Sequence, residues 1–132
     1  MSLDGTCHCG KVGWTFEGTP PDATGCNCTI CRRYGALWAY DHEGERIHVT
    51  GPTKAYVWGH RSIGFHFCPD CGRVAYWRAL EPGKDGRRRV AVNLRLTNDP
   101  DAVQNIPLLH FEGLSSFDDL PTDGKCVADD WF

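Results

Sequence analysis

The chain has 132 residues, of which 41% are hydrophobic and 23% charged, and its formal net charge is −3. These values predict one globular domain spanning 1–132 and exclude a highly charged disordered chain. The negative balance argues against nucleic acid as a partner, because phosphate binding depends on clustered Lys and Arg. There is neither an apolar stretch of ~20 residues, as in a membrane helix, nor a secretory signal, which predicts a cytoplasmic protein.

Short apolar or alternating runs, separated by Gly and Pro, predict strands along most of the chain. They lie at 12–16, 37–40, 47–50, 55–58, 63–67, 74–77, 90–94 and 108–111. Short helices are predicted from Thr29 to Tyr34, ended by Gly35, and from Asp99 to about Asn105. The pattern is typical of a mostly β domain of about six to eight strands. The acidic, turn-rich segment 115–132 is expected to form a loosely packed tail.

Eight cysteines are the unusual feature of the composition. Seven form three clusters and one stands alone: Cys7 and Cys9, then Cys26, Cys28 and Cys31, then Cys68 and Cys71, and finally Cys126. Such clusters present several thiolates to one ion, and a sulfur-rich tetrahedral site favours zinc. Disulfides are disfavoured in a reducing cytoplasm, and neither ferredoxin spacing of an iron–sulfur protein is present.

The two paired clusters together supply the four ligands that a closed structural zinc requires. The simplest assignment therefore places one zinc ion on Cys7, Cys9, Cys68 and Cys71. Such a site would clip the N-terminus to the middle of the chain and stabilise a domain with a limited core.

The remaining cluster, Cys26, Cys28 and Cys31, offers three ligands for a second zinc ion. Three protein ligands and one open position are the pattern of a catalytic zinc. The alternative is a fourth protein ligand that closes the site. The candidates for that ligand are Cys126, His60, His66 and His8.

Several residues near these clusters are candidates for binding a substrate. Arg32 and Arg33 follow the second cluster directly and are suited to a carboxylate. Trp38 and Tyr40 come next and are candidates for the wall of a pocket. His66 is assigned by alternation to the strand face that carries Cys68, and it is the candidate acid or base.

Three segments carry a family resemblance: GTCHCGKV at 5–12, CNCTICRRYG at 26–35 and FCPDCG at 67–72. They resemble the glutathione-dependent formaldehyde-activating enzyme (GFA) family, which also includes centromere protein V. The resemblance implies an Mss4-like fold of two small antiparallel sheets of short strands with zinc sites and little helix. It also implies the same division of the seven cysteines into a structural and a catalytic zinc site. The activity it implies is that of a carbon–sulfur lyase acting on the adduct of formaldehyde and glutathione.

The leading hypothesis is therefore a lyase with two zinc ions per chain that acts on a small thiol such as glutathione, as in S-hydroxymethylglutathione. A three-thiolate zinc site is a weak Lewis acid, which favours the handling of thiols over hydrolysis. Two alternatives remain open: a non-catalytic zinc module that binds a protein or nucleic acid, and a module that stores or senses metal. The sequence predicts no oligomeric state.

Overall fold

The computed structural model describes residues 1–131 as a β-rich domain. The strands are β1 Ser2–Thr6, β2 Gly13–Glu17, β3 Ala23–Cys26, β4 Leu37–His42, β5 Ile47–Thr50, β6 Lys54–Val57, β7 Ile63–Phe67, β8 Val74–Ala79, β9 Arg89–Asn93, β10 Leu108–Glu112 and β11 Asp118–Asp119. The helices are α1 Cys31–Tyr34 and α2 Val127–Trp131, with 3-10 turns at Leu94–Leu96 and Pro100–Ala102. The predicted mostly β class is confirmed, and each predicted strand overlaps one of these strands. The predicted number was too low, because β1, β3 and β11 lack an alternating apolar pattern.

The strands form two sheets, as the family resemblance implies. A small antiparallel sheet has the order β1-β2-β5, and a large sheet has the order β11-β10-β3-β4-β9-β8-β7-β6. The expectation of two small antiparallel sheets needs correction, because the large sheet has eight strands and β10 runs parallel to β3. The chain returns to β3 through the long segment between β9 and β10, which makes a parallel partner possible.

Alternation along the strands gives the large sheet two different faces. One face joins the small sheet in the main core, where Trp14 and Phe16 of β2 pack in the same cluster as Ala39 and Val92. The opposite face carries a second cluster that is rich in aromatic and sulfur-containing side chains: Cys31, Ala36, Trp38, Phe65, Val74, Trp77 and Ala91. We call this second side the aromatic face.

The short helices are set by local capping. Helix α1 begins two residues after the predicted start and ends at Gly35, which adopts a left-handed conformation (φ 66°) and donates its N–H to the Cys31 carbonyl. The second predicted helix is reduced to the 3-10 turn Pro100–Ala102, whose first turn is capped by the Asp99 side chain.

The C-terminal segment contains one buried anchor. Residues 114–125 are exposed, but Val127 at the start of α2 is fully buried in the main core. The Val127 N–H donates to the Ile106 carbonyl and thereby ties the end of the chain to the segment before β10. None of the helices in residues 1–131 is long and apolar enough to cross a membrane.

Candidate metal centres

The first candidate centre consists of the four predicted cysteines. The sulfur atoms of Cys7, Cys9, Cys68 and Cys71 all lie within 4.8 Å of one another. The Cys9 sulfur is 3.6 Å from the sulfurs of both Cys7 and Cys68. Tetrahedral zinc with Zn–S bonds of ~2.3 Å requires ligand sulfurs ~3.8 Å apart. The donor set and its spacing therefore fit a zinc ion.

Backbone amides around this centre favour the thiolate form. Val12 N–H donates to the Cys7 sulfur at 3.3 Å, and Asp70 N–H donates to the Cys68 sulfur at 3.4 Å. A hydrogen bond from the Arg73 backbone is the main reason why the pKa of Cys71 is lowered to about 6. An ion pair between Lys11 and Asp70 also links the two ligand loops. This loop pair is therefore preorganised for a cation.

The second candidate centre brings Cys26, Cys28 and Cys31 together, with all three sulfurs within 4.8 Å of one another. Cys28 N–H donates to the Cys26 sulfur at 3.4 Å, and Cys31 N–H donates to the Cys28 sulfur at 3.3 Å. Burial raises the pKa of the Cys31 thiol. A bound divalent cation would offset that cost of burying a thiolate. This donor set also fits zinc.

Trp38 supports this second centre directly. Its side chain is only 1% exposed, and its indole N–H donates to the Cys31 sulfur at 3.4 Å. The predicted role of Trp38 as a pocket wall does not match this position. The indole instead holds a ligand sulfur from behind.

Glu112 and Gly113 of the C-terminal segment pack directly against the second centre, a contact that the sequence did not predict. Asn27, between two ligands, accepts from Gly113 N–H at 2.6 Å and donates to the Glu112 carboxylate at 3.1 Å. A Cβ atom on Gly113 would lie 2.8 Å from the Cys28 Cβ and 2.9 Å from the Cys26 sulfur. Glycine is thus required here for close approach. The contact spans more than 80 residues, so no local spacing could reveal it.

None of the four residues considered as a closing ligand joins this centre. In the part of the chain that the structure describes, no fourth His, Cys, Asp or Glu belongs to the Cys26 group. The backbone N–H of Cys126 donates to Asp129, and Cys126 forms an isolated β-bridge with Pro107, just before β10. The opposite end of β10 is the one that pairs with Cys26. Three cysteine sulfurs are therefore the protein ligands available to a metal ion here.

A cleft of about 300 Å³ opens onto the second centre. Cys26, Cys31, Arg32, Arg95 and His110 are among its lining residues. Arg95 is held by the carbonyls of Gly35 and Asp130, at 2.7 and 2.9 Å. Arg95 and His110 were not predicted from the sequence, because they reach the cleft from distant parts of the chain.

The two predicted arginines divide between different surroundings. Arg32 is exposed and lines this cleft. Arg33 instead donates to the Thr29 carbonyl at 2.7 Å within its own turn. Only Arg32 is therefore placed beside the cysteines of the cleft.

Tyr40 and His66 lie on opposite faces of the large sheet. Tyr40 follows Trp38 on the aromatic face, is 37% exposed and packs on Trp77 with ring centres 5.7 Å apart. His66 shares a 2.8 Å hydrogen bond with Thr53 and stacks on Tyr76, whose side chain belongs to the main core. The structure does not bring His66 to the second centre, because strand alternation turns it away from the aromatic face.

The fold and the two centres define a small β protein built around two cysteine clusters suited to metal ions. The chain belongs to the glutathione-dependent formaldehyde-activating enzyme family, whose model matches residues 2–108. The architecture is consistent with the Mss4-like fold expected for that family. The matched region contains all seven clustered cysteines and ends before Glu112 and Gly113.

One solved structure is similar over most of its length. It is the crystal structure of a Rhodobacter sphaeroides protein, a structural genomics target, with 27% sequence identity and a TM-score of 0.60. The similarity covers 80% of this chain and 98% of that chain. No curated protein matches the chain.

Proposed function

We propose that this protein is a zinc-dependent carbon–sulfur lyase that acts on a thiol–aldehyde adduct such as S-hydroxymethylglutathione. The observation that carries the proposal is the three-thiolate centre of Cys26, Cys28 and Cys31, which opens onto a cleft that contains Arg32. Membership in the GFA family supports a glutathione-related substrate.

The two centres are assigned different tasks. Cys7, Cys9, Cys68 and Cys71 hold a structural zinc, and Cys26, Cys28 and Cys31 hold the second zinc. When bound at the second centre, zinc would stabilise the sulfur of the adduct as a thiolate. Trp38 and the backbone amides keep the three protein ligands in place.

The reaction needs one bond cleavage and one proton transfer. The carbon–sulfur bond of the hydroxymethyl thioether breaks, and its electron pair stays on sulfur. The hydroxyl oxygen forms the carbonyl of formaldehyde and loses its proton. We assign that proton to His110, the imidazole that lines the cleft. Arg32 is suited to orient a substrate carboxylate, and the reverse sequence forms the adduct.

Exchange NMR tests this function. With ¹³C-formaldehyde and glutathione, the zinc-loaded protein should accelerate interconversion of the adduct and its components. Cys31→Ala should remove both this acceleration and one of two zinc ions per chain, whereas Cys126→Ala, a cysteine outside both clusters, should retain both. A fully zinc-loaded protein without any acceleration would refute the lyase assignment and favour a non-catalytic zinc module.

A further inference from the structure

A second cleft, of about 520 Å³, lies at the opposite end of the aromatic face from the cysteines. Trp77 and Ile63 contribute its apolar lining, and Arg61 and Arg89 contribute two positive charges. Glu81 is the acidic residue among the lining side chains. The cleft is therefore cationic with an aromatic wall, which suits a carboxylate.

Arg89 is held in place without using its hydrogen-bond donors. Its guanidinium carbon lies 5.4 Å from the Trp77 ring centre and 6.0 Å from the Tyr40 ring centre. No hydrogen bond or ion pair joins Arg89 to another side chain within residues 1–131. The neighbouring arginines differ: Arg78 pairs with Glu43, Arg87 with Glu45, and Arg88 bonds the carbonyls of Ala79 and Leu80. Ring contacts orient Arg89 and leave its donors to a ligand.

Arg61 gives an independent indication. Its backbone is left-handed (φ 56°), a conformation that glycine or asparagine adopts more readily than arginine. The turn itself needs only the backbone, because Arg61 N–H donates to the Trp58 carbonyl at 3.0 Å. Among the described residues its side chain has no hydrogen-bond or ion-pair partner. An arginine at a strained position beside Arg89 points to a use for its side chain.

Tyr40 links this cleft to the cysteine centre. It lies two residues, or about 7 Å, from Trp38 along β4, and the Trp38 indole bonds the Cys31 sulfur. Burial raises the pKa of Tyr40 to about 12. Cys31 and Cys26 raise this pKa as well, whereas Thr24 and Arg89 lower it. The Tyr40 phenol is thus within electrostatic range of the thiols and of the guanidinium.

The separation sets the size of the ligand. The step along β4 and the 6.0 Å between Arg89 and the Tyr40 ring together give a path on the order of 13 Å from Trp38, whose indole bonds the Cys31 sulfur, to the Arg89 guanidinium. A metal–sulfur bond and a carboxylate–guanidinium contact together take up ~6 Å. The remaining ~7 Å corresponds to about two residues of extended chain. A cysteinyl peptide spans this distance, whereas free cysteine is too short.

We propose that the cleft between Arg61 and Arg89 binds a carboxylate of a peptide-sized thiol whose sulfur occupies the Cys26–Cys28–Cys31 centre. The inference rests on the proposed function, because that function places the thiol sulfur at this centre. Arg89 is the main contact, and Arg61 adds a second positive charge.

Calorimetric binding to the zinc-loaded full chain tests the proposal, with glutathione and its diethyl ester as the probes. The ester keeps the thiol but lacks both carboxylates. Wild-type protein should bind glutathione at least about tenfold more tightly than the ester. Arg89→Gln should lose the part of this preference that exceeds the contribution of Arg32, and Arg87→Gln, a neighbour already paired with Glu45, should keep all of it.

Arg61→Gly provides a second variant with a distinct signature. It should weaken glutathione binding without lowering the melting temperature, since glycine relieves the left-handed backbone. Glutathione binding that is absent in wild type, or unchanged in Arg89→Gln, would overturn the proposal. Arg89-dependent binding without turnover would refute the lyase assignment and leave the carboxylate site supported. Turnover with an unchanged KM for glutathione in Arg89→Gln would support the lyase assignment and refute the carboxylate site.

Discussion

Replacing Gly113 by alanine should weaken the second metal centre selectively. The added methyl carbon would lie 2.8 Å from the Cys28 Cβ and 2.9 Å from the Cys26 sulfur. Ordinary carbon contacts are ~3.5–4.0 Å, so the overlap approaches ~1 Å. Gly113 does not have a left-handed φ, so alanine adds no backbone strain. The effect therefore falls on the two ligands that the methyl group displaces.

The magnitude follows from the cost of overpacking. Inserting a methyl group into a packed site costs ~1–3 kcal/mol. If displacement of the ligands accounts for all of it, zinc affinity at this centre falls by about 5- to 150-fold. The four-cysteine centre involves none of the displaced atoms and should keep its affinity.

Chelator competition and cobalt substitution measure the two centres separately. Gly113→Ala should bind one metal ion as tightly as wild type and the other more weakly, with a reduced thiolate-to-cobalt absorption for the weaker one. Gly83→Ala is the matched control, because its Cβ would meet the Asp85 side chain at 3.4 Å, an ordinary contact distance. Two ions bound with wild-type affinity in Gly113→Ala would refute the steric reasoning.

Three further substitutions test other parts of the two centres. Cys71→Ala should unfold the domain, because it breaks a four-ligand clip between distant loops; circular dichroism would show this, and a folded variant with wild-type stability would contradict it. Trp38→Phe should weaken metal binding at the second centre by ~1 kcal/mol, because the N–H···S bond is lost. The cobalt charge-transfer band should also shift, and an unshifted band would argue against that bond. Glu112 accepts N–H bonds from Ser115, Ser116 and Leu114, which hold its pKa well below the usual range. Its ionised form should therefore protect those amides from hydrogen exchange above its unfolded pKa, with protection lost only as pH falls toward the depressed folded pKa; Glu112→Gln should lose that protection at neutral pH.

Features that depend on residues close together in the sequence were predictable, and features that depend on distant residues were not. The cysteine clusters were predictable because ligands of one loop lie within a few residues of each other. Strand β7, at Ile63–Phe67, was predictable from alternation alone. Strand β3, Ala23–Cys26, lacks such a pattern, and its parallel partner β10 lies more than 80 residues away.

His66 shows how a correctly predicted strand face can still leave a residue far from the second centre. Simple alternation assigns His66 and Cys68 to one face. His66 stacks on Tyr76, which belongs to the main core together with Cys68. The Cys26, Cys28 and Cys31 centre packs on the opposite, aromatic face. Alternation cannot show which face carries that centre, because its cysteines come from a distant part of the chain.

The main core and the proposed metal chemistry lie on opposite faces of the large sheet, and paired substitutions test whether the two are independent. Val92 is fully buried on the core face, so Val92→Ala should lower the free energy of unfolding by ~1.6 kcal/mol, at ~0.8 kcal/mol per methylene, and leave second-site metal affinity unchanged. Tyr40 lies on the aromatic face, and Tyr40→Phe removes only a hydroxyl, so the free energy of unfolding should hardly change. Glutathione binding or turnover should change, because Tyr40 lies between the cysteine centre and Arg89. Denaturant unfolding, metal titration and glutathione calorimetry on the same samples measure stability, metal affinity and ligand binding. Equal losses of stability and metal affinity in Val92→Ala would contradict this expectation, because they would mean that the second centre depends on packing in the main core.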